Sequence, residues 1–154
     1  MHTKLIDHQI ISTYLKTLLA NSYLLYLKVQ NCHWNIQSIN FFELHKFFEE
    51  EYKELSNAID EIAERIRAVD ETAPASFTEF MRLTSLSENV LLKTAFDMIK
   101  ALIHDNEKII FEIKEILLAL KDSTDYASLD LFIRRLSSHE KTLWMLKSMN
   151  ASTI

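Results

Sequence analysis

Leucine, isoleucine, valine and phenylalanine recur every three or four positions through most of this chain, the spacing that gives a helix one apolar face. From about residue 4 to residue 36 the stripe is Leu15, Leu18, Leu19, Leu25 and Val29. The polar segment QSIN (37–40) has turn character, and Asn40 is a candidate N-cap. A second stripe of Phe41, Leu44, Phe48, Leu55, Ile59, Ile62 and Ile66 predicts a helix reaching about Ala68. The pattern lapses over 70–87, DETAPASFTEFMRLTSLS, where Pro74 and several Ser and Thr interrupt it. Within that connection SFTEFM has room for one or two helical turns. The period resumes near Ser87 or Glu88 and runs to about Leu120 through Leu91, Ile99, Ile103, Ile110, Ile113 and Leu117. After the polar turn KDSTDYAS it returns over about 127–149, with Leu129, Ile133, Leu136, Leu143 and Leu146. The prediction is an all-α four-helix bundle whose long middle crossover carries a short helix.

Composition narrows this further. The 154 residues suit one domain, 1–154, with room for a proper core. There is no glycine and one proline, and hairpin turns depend on glycine, so sheet architectures are disfavoured. The formal charge is −5 and no stretch is strongly basic, a poor footprint for direct nucleic-acid binding. Cys32 is the single cysteine and has no partner for an internal disulfide, which points to a reducing compartment. The N-terminus, MHTKLIDHQI, lacks a secretion-signal pattern. No apolar run approaches the roughly 18–20 residues that cross a membrane. The expected location is the cytoplasm, with no membrane partner.

The chemistry gathers around HWNIQSINFFELH, residues 33–45. The turn inside this segment folds His33 against His45. Further along the second helix, His45 and Glu49 are one turn apart, as are Asp60 and Glu64. Taken alone, acidic residues at that spacing are most often a solvated face. All four nevertheless lie within a limited sector of one helix. His45 and Asp60 are about 22 Å apart along the axis, at a rise of about 1.5 Å per residue, so one metal ion cannot reach both. Antiparallel two-fold pairing of two copies brings the histidine end of one helix to the carboxylate end of the other, making two identical sites. Mixed imidazole and carboxylate ligation suits Fe(II) and other first-row divalent ions. None of the six histidines has a glutamate three residues before it, so the ferritin-like centre held within one bundle is disfavoured. The zinc pattern HExxH is absent as well.

Other candidates read more plainly. His2, His8, His104 and His139 carry no ligand pattern and are expected at the surface or in hydrogen bonds. Cys32 is expected to be a buried structural thiol rather than a redox group. The aromatics of FFELHKFF are expected to fill a helix interface. Met81, Met98, Met145 and Met149 are too scattered to indicate a haem ligand. Glu61, Arg65 and Arg67 are expected in surface or interface ion pairs.

HWNIQSINFFELHKFFE (33–49) and IDEIAERIRAV (59–69) resemble the two signature segments of the Dps family, small ferritins that protect DNA in starved bacterial cells. The resemblance extends over the whole chain, including Leu143-Trp144 near its end. Ser38 and Val69-Asp70 depart from the family pattern, which usually has Gly and Leu-Gly there. The resemblance implies a ferroxidase, an oxidoreductase acting on metal ions. It implies a dodecameric shell built from two-fold dimers, in which Fe(II) is oxidised, typically by hydrogen peroxide, and Fe(III) is stored as mineral. Carried over by residue, His33, His45 and Glu49 belong to one subunit's half of a site, and Asp60 and Glu64 to its mate's. Trp34 lies beside the site as a sink for stray oxidising equivalents. Acidic pores for iron entry are expected near the start of the last helix, with Asp130, Asp122 and Asp125 as candidates. DNA binding is expected to be weak or absent, because the N-terminal residues carry only Lys4, offset by Asp7, and SMNASTI at the C-terminus carries no positive charge. The alternatives are a metal-binding structural or signalling shell, for example for zinc, with little ferroxidase activity, or a non-specific DNA-protecting protein.

Overall fold

The computed structural model describes residues 2–88 and 92–150, and the side chains of 7–88 and 92–149. Five helices follow one another: α1 (His2–Asn35), α2 (Phe41–Ala68), α3 (Phe77–Leu83), α4 (Ala95–Ala119) and α5 (Tyr126–Asn150). The long helices α1, α2, α4 and α5 make the four-helix bundle, and α3 sits in the crossover between the pairs, against α1. SFTEFM thus forms a helix, capped by the Ser76 hydroxyl accepting from the Glu79 amide. α1 packs chiefly along α2, and α4 along α5.

The predicted stripes form the core. Leu15, Leu18, Leu19, Leu25 and Val29 of α1 are buried against Leu44, Phe48, Leu55, Ile62 and Ile66 of α2 and Ile99 and Ile113 of α4. Burying each such side chain contributes about 1.5–3 kcal/mol. Two stripe positions behave differently. Phe41 is 46% and Ile133 is 54% exposed. Each has the right period but lies at the margin of its apolar face.

Two ends also differ from expectation. The third long helix begins at Ala95, not near Ser87 or Glu88. Thr94 caps it in a reciprocal box with Asp97, each side chain accepting from the other's amide. Ser87 and Glu88 are non-helical, and Leu91 lies outside the described residues. At the start of α2, Asn40 makes no side-chain cap bond. The Ser38 hydroxyl instead accepts from the Asn40 amide, at 3.1 Å.

α2 ends in a Schellman motif: the Glu71 amide donates to the Ile66 carbonyl and the Asp70 amide to the Arg67 carbonyl. The motif puts Asp70 in the left-handed region, φ 64°. Polar ties anchor the crossover to the bundle. Lys28 and Asp105, both buried, form an ion pair between α1 and α4, and the Lys28 ammonium also donates to the Ser87 carbonyl at 3.0 Å. Asn21 accepts from Thr84 and donates to Ser85 and Glu112. Cys32 is buried beside this pair, and burial pushes its thiol up to about 12, which makes it inert at neutral pH. Among the described residues no helix is long and apolar enough to cross a membrane.

Candidate metal centre

His33 is in the last turn of α1 and His45 in the second turn of α2, and the turn at 36–40 sets them face to face. Their rings stack with centroids 3.8 Å apart and planes 19° from parallel. Each then bonds to the other's backbone: His33 Nδ1 lies 2.8 Å from the His45 carbonyl, and His45 Nδ1 lies 2.8 Å from the His33 carbonyl. A carbonyl only accepts, so both Nδ1 atoms carry the proton. In a neutral ring the lone pair is therefore on Nε2, and both histidines are fixed in one tautomer with that nitrogen available to an electrophile. The Phe41 ring stacks on His45 at 5.0 Å, and the Tyr52 ring meets His33 edge-on at 5.2 Å.

Glu49 adds an anion to this pair. It is half-exposed and bridged to Lys53 one turn further on. The Lys53 hydrogen bond, and behind it the Lys53 charge, holds its carboxyl below the usual range. His33 and His45 are thus brought together, with Glu49 one helical turn along α2 from His45. Asp60 and Glu64 are not: both are exposed, on the distant half of α2. Among the described residues of one chain, no group of three His, Cys, Asp or Glu side chains is placed to hold a metal ion. Trp34 is 64% exposed.

The pore candidates also separate. The Asp125 carboxylate accepts from Arg65, from the Ser128 hydroxyl and from the Ser128 amide, so it serves as a cap for α5. Asp130 is exposed and paired with Arg134 at 2.8 Å, which also holds Glu61. Asp122 is exposed.

A guanidinium is enclosed between α5 and α2. Arg135 of α5 is buried and paired with Glu54 of α2. Beside it the buried His139 donates from Nδ1 to the Asn106 side-chain oxygen at 2.8 Å and turns Nε2 towards Arg135 at 3.3 Å. Burial, and then the Arg135 charge, push the His139 imidazolium well below its ordinary range, so the ring is neutral. Of the other histidines, His8 bonds the Val69 carbonyl at 2.8 Å and His104 is exposed.

A ferritin-like domain model matches residues 12–153. The DNA protection during starvation protein 2 of Bacillus anthracis is 36% identical over 124 residues, covering 80% of this chain and 85% of that protein. The chain belongs to the Dps family. A Dps relative from Brevibacillus brevis is 31% identical over 91% of this chain and 94% of its own. The X-ray structure of Dps from Thermosynechococcus elongatus superposes with a TM-score of 0.91 at 29% identity, covering 99% of this chain and 97% of that one. That of the Dps protein from Vibrio cholerae O1, a member of a broad superfamily of ferritin-like diiron-carboxylate proteins, does so with 0.88 at 29%, covering 95% and 92%. Within this Dps fold, sequence spacing located the histidine pair but not its locked tautomers. It gave no hint of Tyr52, whose one signal is its place seven residues after His45 on the same face of α2.

Proposed function

We propose that this chain is a ferroxidase and iron-storage subunit. In this reading two copies pair through α2. His33, His45 and Glu49 of one face Asp60 and Glu64 of the other, and Fe(II) bound between them is oxidised by hydrogen peroxide. Each peroxide takes one electron from each of two Fe(II) ions and, with two protons, leaves as two waters. The ferric product is stored inside a dodecameric shell in the cytoplasm, and removing both reagents together limits oxidative damage. The exposed Asp122 and Asp130 are the proposed entry residues.

The observation that carries this reading is the pair of imidazoles with both Nδ1 protons committed to carbonyls. It supplies two neutral nitrogen donors beside one carboxylate, an incomplete set suited to a first-row divalent ion. Carboxylates from a second copy complete it and favour Fe(III) by lowering the site's net charge. Apolar exposure agrees: Trp34 and Phe41 beside the half-site, and Leu27, Phe77 and Met81 where α1 meets α3, are each more than two-fifths exposed, as expected of a surface that another copy covers.

Complementation tests the sharing of ligands. His45→Ala and Asp60→Ala shells are each expected to oxidise Fe(II) slowly with peroxide. Shells reassembled from an equal mixture regain about a quarter of the wild-type sites, because half the dimers are mixed and each mixed dimer holds one intact site. No recovery in shells of normal size means that the ligands are not divided between copies. Metal binding without oxidation in the wild type favours the zinc-type shell instead.

A further inference from the structure

The stacked histidines are one end of a longer run of rings. From His33 the contacts continue to Tyr52 of α2 (centroids 5.2 Å), from Tyr52 to Tyr26 of α1 (6.1 Å), from Tyr26 to Tyr23 (6.2 Å) and from Tyr23 to Phe80 of α3 (4.6 Å). Every spacing falls within the range of direct aromatic contact, about 4.5–7 Å. Tyr23, Tyr26 and His33 share one face of α1, and His45, Glu49 and Tyr52 share one face of α2, so two helix stripes meet to make the run. Among the described residues no ring contact joins Trp34 to it, although Trp34 is next to His33 in sequence.

We propose that Tyr52, and behind it Tyr26 and Tyr23, form a one-electron donor chain to the iron site. This rests on the iron-oxidising function proposed above. Peroxide needs two electrons to break its O–O bond safely, and one Fe(II) supplies only one. When a site holds a single Fe(II), Tyr52 supplies the second: Fe(II), H2O2 and the phenol give Fe(III), hydroxide, water and a tyrosyl radical. The phenol O–H and the peroxide O–O bonds break. The phenolic hydrogen leaves in the water, and the other peroxide oxygen leaves as hydroxide. An electron then passes from Tyr26 to Tyr52 across the ring contact; Tyr52 takes up a proton from water and Tyr26 gives one to water, so that atoms and charge balance and Tyr26 carries the radical. The Gln30 side-chain amide donates to the Tyr26 oxygen at 2.9 Å, which fixes the orientation of that phenol within the run. Phe80 has no hydroxyl and ends the chain.

The test is electron paramagnetic resonance on assembled shells carrying one Fe(II) per site, mixed with peroxide without air and frozen at once. Ferric absorbance is read on the same samples. The wild type is expected to give an organic radical whose hyperfine pattern narrows when the protein is made with ring-deuterated tyrosine. The ratio of radical to ferric iron should fall several-fold in Tyr52→Phe, whereas Tyr26→Phe should leave the radical on Tyr52 with a changed hyperfine pattern; both variants keep the rings and their packing. The ratio should stay at the wild-type value in Tyr126→Phe, remote from the run. Iron oxidised with no radical, a radical insensitive to tyrosine deuteration, or a ratio unchanged by Tyr52→Phe overturns the donor chain and leaves the iron site standing. Absence of ferric absorbance in the wild type overturns the iron site, and the donor chain with it.

Discussion

At the scale of single residues, backbone hydrogen bonds do much of the positioning. His33 and His45 hold each other by their main-chain carbonyls, so their orientation depends on where the turn places two peptide units. Asp70 is a second case. Its left-handed φ of 64° is forced by the Schellman closure of α2, and a Cβ is disfavoured there. Its charge also sits at the negative end of the helix dipole. Asp70→Gly is therefore expected to stabilise the fold by about 0.5–1 kcal/mol. The check is the urea midpoint, which should rise at an unchanged slope. Sequence named the candidate residues but not this geometry: their spacing is set by the helical repeat, whereas the tautomers depend on carbonyl directions that no side-chain pattern encodes.

At the scale of elements, the helices were legible and their ends less so. The run from Ser87 through Leu91 and Leu92 reads as helix because its apolar residues continue the period of those that follow. The opposing signal was also present, in Thr94 and Asp97 at capping-box spacing. Phe41 and Ile133 were placed in the core because periodicity reports that a face is apolar, not what covers it. The contacts between α2, α4 and α5 carry a pH dependence. His139 is neutral in the fold and titrates from about pH 6.5 in the unfolded chain. Below that pH the unfolded state binds the extra proton, so stability is present at neutral pH and is lost on acidification, by roughly 1 kcal/mol per pH unit. His139→Gln removes this contribution. Between about pH 7.5 and 5.5 the wild type should lose more stability in urea unfolding than the variant does; equal losses would mean that the buried ring takes up its proton inside the fold.

At the scale of the whole molecule, net charge bears on the DNA that the relatives' names mention. With −5 per chain, a multi-subunit particle repels a polyanion, and counterion release needs several phosphate contacts per surface. Eight of the seventeen basic side chains, Lys16, Lys28, Lys53, Arg65, Lys114, Arg134, Arg135 and Lys147, are moreover paired with carboxylates. Protection by chemistry rather than by contact is the expectation. A gel shift at low salt without divalent metal should leave DNA unretarded, and a tight, salt-sensitive complex would contradict it.

The length of α2 between His45 and Asp60 has a kinetic consequence. In the shared site proposed above, donors that far apart would make turnover a property of pairs, not of chains. While subunits are scarce, oxidising capacity would then grow with the square of their concentration; once most are paired, it would grow only in proportion. A cell would thus gain little from the first copies it makes and steeply more from those that follow, a threshold response encoded in the reach of one helix.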